Sequence, residues 1–209
     1  MGKNLFSLAV TLLVVMLVGG TLAFRTNRRS AHAALAGTTA ADGPQFGSDG
    51  SLVRPEGYRR SWVFLSSGFG MSYSPGMNGN PQFTNVFVNP SSYDYFVVNG
   101  KWPDKTMFVL EEYESTSHGS INKSGSYQQA LGGLVVEVKD EGRFPDKWAY
   151  FGFGDGGKTA KAMTPAKNAC WQCHDDNAAV EHSFVQFYPE MLQIAKAKGT
   201  IKPGVQIGK

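Results

Sequence analysis

Near its C-terminal end the chain reads Cys170-Trp171-Gln172-Cys173-His174, a stretch that holds its only two cysteines. A C-x-x-C pair followed at once by histidine is the attachment signature of a c-type haem. Two thiols about one helical turn apart can each add to a porphyrin vinyl group, and the adjacent imidazole is carried to the iron. Such a segment obliges the rest of the chain to build a cavity for a flat macrocycle beside a helix. On this reading Cys170 and Cys173 are thioether anchors, His174 is the proximal iron ligand, and the cofactor is a single covalent haem c.

Other uses of the motif fit the sequence less well. A structural zinc site needs four Cys or His ligands, and outside the motif only His32, His118 and His182 are available, none in a paired spacing. A thioredoxin-like redox pair belongs at the end of an early strand that opens a helix, whereas this motif lies late in the chain. A disulfide between Cys170 and Cys173 would close a very small loop and leave His174 without a role.

Residues 1–36 read as an export segment. Lys3 precedes the apolar run Leu5 to Val18, and Arg25, Arg28 and Arg29 precede the small-residue sites Ala31-His32-Ala33 and Ala34-Leu35-Ala36. An uncleaved anchor is the alternative, because Leu5 to Phe24 is almost long enough to span a bilayer; the arginines after it oppose that orientation. The expected location is periplasmic. The formal charge is +3, and four cations with no acid fall in residues 1–36, which leaves a net of −1 for the remainder. A near-neutral domain with interspersed charges disfavours nucleic acid and membrane surfaces as partners.

Residues 37–54, rich in Gly, Ala, Ser and Asp, are expected to be a linker or a loosely held arm, with one domain over 55–209. Strands are expected over Trp62 to Leu65, Phe83 to Val88, Thr106 to Glu114, Gln129 to Asp140 and Lys147 to Phe153, from runs of β-branched and aromatic residues bounded by turn formers. Ser66 to Asn80 reads as a flexible glycine-rich loop. Asn89-Pro90 reads as a capped helix start and Gly100 as its stop. Further helices are expected at the haem motif and over Tyr188 to Lys198. The fold class is α+β, dominated by an antiparallel sheet with a few short helices.

Taken in order, several stretches resemble the cytochrome P-460 family, which includes the β-sheet cytochromes c′. They are Tyr58-Arg59-Arg60-Ser61-Trp62, Val88-Asn89-Pro90-Ser91-Ser92-Tyr93, Gly100-Lys101-Trp102-Pro103-Asp104, Trp148-Ala149-Tyr150-Phe151, and the haem motif followed by Phe184-Val185-Gln186-Phe187-Tyr188-Pro189. The resemblance implies a homodimeric β domain whose haem is five-coordinate, bound through His174 and open on its distal side.

The resemblance also identifies where this chain departs from the hydroxylamine-oxidising members. Those members carry a lysine that bonds to the porphyrin, and the matching position here is Leu110. The distal arginine of the family falls on Thr84, and its distal glutamate on Val135. Hydroxylamine oxidation requires proton removal, for which Leu110, Val135 and Thr84 supply no ionisable group. An apolar site over an open iron suits a small neutral diatomic such as nitric oxide. A hydroxylamine-oxidising enzyme is one alternative. The other is a six-coordinate electron carrier with its own redox protein partner, in which Met71, Met77, Met107, Met163 or Met191 ligates the iron, with Met71 and Met77 best placed. Arg60, with Arg59 beside it, is a candidate for binding the haem propionates. His182 reads as a surface or internally satisfied histidine.

Overall fold

The structure, a computed structural model, describes residues 42–73, 80–154, 156–163 and 169–208. The export segment, the start of the linker and Met77 lie outside the described residues.

Five antiparallel strands run in the order β2-β3-β4-β5-β6: β2 Val63–Phe69, β3 Phe83–Val88, β4 Met107–Thr116, β5 Tyr127–Lys139 and β6 Trp148–Phe153. The register pairs Val86 with Leu110, Leu110 with Val135, and Val135 with Gly152. Side chains of directly paired residues share a face, and those two residues apart along a strand do too. One face therefore carries three successive rows: Val88, Phe108, Glu137 and Tyr150; then Val86, Leu110, Val135 and Gly152; then Thr84, Glu112 and Gly133. The opposite face carries Phe87, Val109, Val136 and Phe151.

Helices cover the first of these faces. They are α2 Pro90–Asn99, α3 Ala169–Asn177, which bears the haem motif, and α4 Pro189–Lys198; α1 is the single turn Tyr58–Ser61. Phe96, Trp171, Met191 and Ala195 from helices α2 to α4 pack with Val88, Phe108, Trp148 and Tyr150 into one core. A second core forms on the other face from Met107, Val109, Val136, Val138 and Phe151, with Leu52 and Tyr58 laid over it. The sheet is thus buried on both sides, and the two cores share it as a wall.

The α+β expectation holds, with informative shifts of boundary. β2 continues through Ser66-Ser67-Gly68 to Phe69, although this stretch reads as loop, because β3 offers a complete pairing edge and a bulge after Phe64 restores the register. Asn89 sits at the N-cap of α2, but its side chain does not cap that helix. Its Oδ1 instead accepts from the Met107 amide at 2.8 Å, and Asp42 accepts from the Ser91 amide at 2.8 Å. Gly100 ends α2 at φ 68°, the left-handed conformation that glycine adopts without strain.

Of the stretch 37–54, read as a linker or loosely held arm, the residues from Asp42 onward are described. Leu52-Val53 forms β1, which pairs with β7, Thr159–Ala160, and Leu52 is fully buried in the second core. Phe46, which bridges to Leu52 and packs against the second core, and Leu52 itself seat this mostly small and polar stretch; complete burial of a leucine contributes roughly 1.5–3 kcal/mol.

Candidate functional site

The two sheet faces differ in how completely they are filled. On the helix-covered face the row through Phe108 lies under packed core, whereas the rows through Leu110 and Thr84 open into a cavity of about 860 Å³. Its floor is Ser66, Gly68, Thr84, Val86 and Leu110; its walls are Cys170, Cys173 and His174 from α3, Phe184, Phe187 and Tyr188 from the segment that follows, and Met71 and Tyr73 beyond β2. Pockets for cofactors of this size commonly measure about 300–1,000 Å³ and are mostly apolar.

The local sequence explains the presentation of the motif. Cys170, Cys173 and His174 lie on consecutive turns of α3, so the i, i+3, i+4 spacing brings all three to one helix face, and that face borders the cavity. Both cysteines are free thiols. Burial, and then the neighbouring Cys173, push the Cys170 thiol up from its usual range, which keeps it protonated.

His174 is held from behind. Its Nδ1 lies 2.6 Å from the backbone carbonyl of His182 and 3.5 Å from Glu137 Oε1. A carbonyl oxygen only accepts, so Nδ1 carries the proton and donates, and Nε2 keeps the lone pair that a metal would require. Burial works against the charged imidazolium; the Glu137 carboxylate and the His182 carbonyl outweigh it, and the His174 pKa is raised. The ring is also gripped by aromatics, with Phe184 at 4.3 Å and Tyr150 at 4.8 Å between centroids. Free thiols and an oriented imidazole on one wall of a large cavity fit the donor set that a c-type haem would require.

The other expected site residues divide. Thr84 and Leu110 line the cavity with the motif. Val135 pairs directly with Leu110 on the same face, half-buried, but stands outside the lining. Met71 lines the cavity, and a Cβ built at Gly68 would lie 2.5 Å from its sulfur, so the thioether rests on the bare backbone of β2. Arg60 does not join the site. It is exposed, and its helical turn is anchored by Tyr58 in the core on the far side of the sheet. Arg59 is committed to that side as well, with Nε donating to Glu111 Oε1 at 2.5 Å.

Among the described lining residues there is no Asp, Glu, Lys or Arg. The phenols of Tyr73 and Tyr188 are pushed further up by burial above all, so they remain neutral donors. Glu112 is the nearest acid in register, two residues beyond Leu110 on the same face. Its carboxylate lies over Gly133 of β5, where a Cβ would meet Oε2 at 2.5 Å, and its charge helps to raise the Tyr73 and Cys170 pKa values, after burial in each case.

Sequence reasoning missed Glu137, the His182 carbonyl and the Phe184 contact. His182 is buried between Trp148 and Trp171 rather than lying at the surface, and it serves the site through its backbone. Glu137 had a legible signal, a lone acid inside the apolar run Leu134-Val135-Val136-Glu137-Val138, because a charge in a buried strand needs a partner.

No curated protein matches the chain. Residues 55–185 match the model of the Cytochrome P460 family, more than half of the sequence and all of the sheet and haem motif described above, and the chain belongs to that family of haem cytochromes.

Proposed function

We propose that the chain is an exported, mono-haem c-type cytochrome that binds a small diatomic ligand, nitric oxide, and turns over hydroxylamine poorly. Cys170 and Cys173 serve as thioether anchors and His174 as the proximal ligand. Haem, when bound, supplies iron with an open coordination position and a one-electron couple. Everything else is the work of this chain. His182 and Phe184 orient the imidazole, and Leu110, Val86 and Phe187 give the cavity its apolar surface.

The observation that carries the reading is the make-up of the lining. Hydroxylamine oxidation needs a group that accepts protons, whereas the described lining, beyond the thiols and imidazole that would hold the haem, offers hydroxyls and neutral phenols. A neutral diatomic needs access and little polarity, and Val86, Leu110 and Phe187 give the open cavity apolar surface. A periplasmic location after cleavage within residues 1–36, and a homodimer, complete the proposal.

One observation favours a second reading. Met71 lies on the cavity wall with its sulfur over Gly68, so a thioether is within the site, and its ligation would make the protein an electron carrier with a redox partner. Titration of the ferrous holoprotein with nitric oxide separates the two. A high-spin ferrous spectrum that converts stoichiometrically on addition of nitric oxide is expected. A low-spin ferrous spectrum that Met71→Ala converts to high spin would assign the electron-carrier role instead.

A further inference from the structure

Glu137 is a buried carboxylate, 8% exposed, whose position the proposed ligand binding does not explain. It projects from β5 onto the helix-covered face, between Phe108 of β4 and Tyr150 of β6 in register. Isolating a carboxylate among aromatic side chains is costly unless donors converge on it. Two converge. Tyr150 donates its hydroxyl to Oε1 at 3.1 Å, and His174 Nδ1 stands 3.5 Å from the same oxygen. The Nδ1–H makes its short bond to the His182 carbonyl at 2.6 Å, so the ring's back edge faces a carbonyl oxygen and a carboxylate oxygen together.

We infer that Glu137 is a positioning residue of the proximal side, which increases electron donation from His174 to the haem iron, and that Tyr150 sets the strength of this effect by sharing Oε1. The inference rests on the reading that His174 binds haem. Its physical basis is general: negative charge and acceptors on the distal nitrogen of a ligating imidazole fix its tautomer and orientation and raise its basicity. A stronger donor stabilises ferric over ferrous iron, and a buried negative charge near the site acts in the same direction.

Two substitutions predict opposite shifts. Glu137→Gln keeps an acceptor for Tyr150 but removes the charge; Tyr150→Phe keeps the charge and removes the competing donor. In the full-length holoprotein, Glu137→Gln should shift the one-electron equilibrium towards the ferrous form by about tenfold, or ~59 mV, and lower the frequency of the iron–histidine stretching band in the ferrous state. Tyr150→Phe should move both in the opposite sense. A merely structural role would lower the melting temperature and leave band and potential in place, which would overturn the inference; so would shifts of the same sign in both variants. If Glu137→Gln does not load haem, the sign found for Tyr150→Phe decides alone. Failure of the unsubstituted protein to bind haem through His174 would instead defeat the underlying reading.

Discussion

If the cavity binds but does not turn over because a proton acceptor is missing, placing one there should restore turnover, and Val135→Glu is the informative substitution. Val135 is half-buried and paired directly with Leu110, which puts their Cβ atoms about 4.5–5.5 Å apart across the strands. A glutamate extends past the valine methyls towards the cavity floor, because on the other side the space over the paired Gly152 is taken by the Met163 methyl, 2.9 Å from where a Cβ would stand. General-base assistance is worth about 10²–10⁴ in rate. The cost is a carboxylate with few partners in an apolar setting, about 1–3 kcal/mol, or roughly 2–4 °C in melting temperature for each kcal/mol in a domain of this size. The same burial raises the new pKa, at about 1.36 kcal/mol per unit, so the gain should grow as pH rises through it. The assay is hydroxylamine oxidation by folded holoprotein across pH, with Val135→Gln as the control that keeps shape and removes the base. Equal rates for the Glu and Gln variants, and likewise for Leu110→Glu and Leu110→Gln on the cavity floor itself, would refute the argument from a missing base.

Other outcomes follow from named residues. Intact mass after expression with the haem-maturation machinery should show one added haem, lost in Cys170→Ala/Cys173→Ala; an apoprotein mass for the unsubstituted chain would contradict the motif reading. Tryptic mapping should find haem only on the peptide carrying Cys170 and Cys173, because the resemblance puts Leu110 at the position of the cross-linking lysine; a bridge to Lys101 or Lys105 would contradict it. Leu52→Ala should lower stability by about 2–5 kcal/mol, because it empties a fully buried site in the second core, whereas a loose linker would tolerate it unchanged.

Much of the sheet was legible because its strands are alternating or apolar runs with clear breakers, and Phe83–Val88 has the expected bounds in the structure. The motif was legible because its chemistry demands a fixed spacing. What local pattern could not show was pairing at a distance. Ser66-Ser67-Gly68 is a poor strand by propensity and becomes one through the edge of β3. Leu52-Val53 is too short an apolar pair to read as a strand until β7 meets it. Arg60 looked suited to propionates by its guanidinium or else simply solvated, and it is exposed on a turn that Tyr58 pins to the opposite face of the sheet. Glu137 and the His182 carbonyl meet His174 from 37 and 8 residues away, a convergence that only the packed helix produces.

The most direct test of the central claim is hydroxylamine oxidation by the unsubstituted, haem-loaded protein, measured beside nitric oxide binding in the same preparation. An ordinary c-type haem spectrum, stoichiometric binding of nitric oxide, and hydroxylamine turnover that rises about 10²–10⁴-fold only once a carboxylate is introduced are the expected results. Rapid oxidation of hydroxylamine by the unsubstituted protein, with the red-shifted absorption of a lysine-modified haem, would contradict the account.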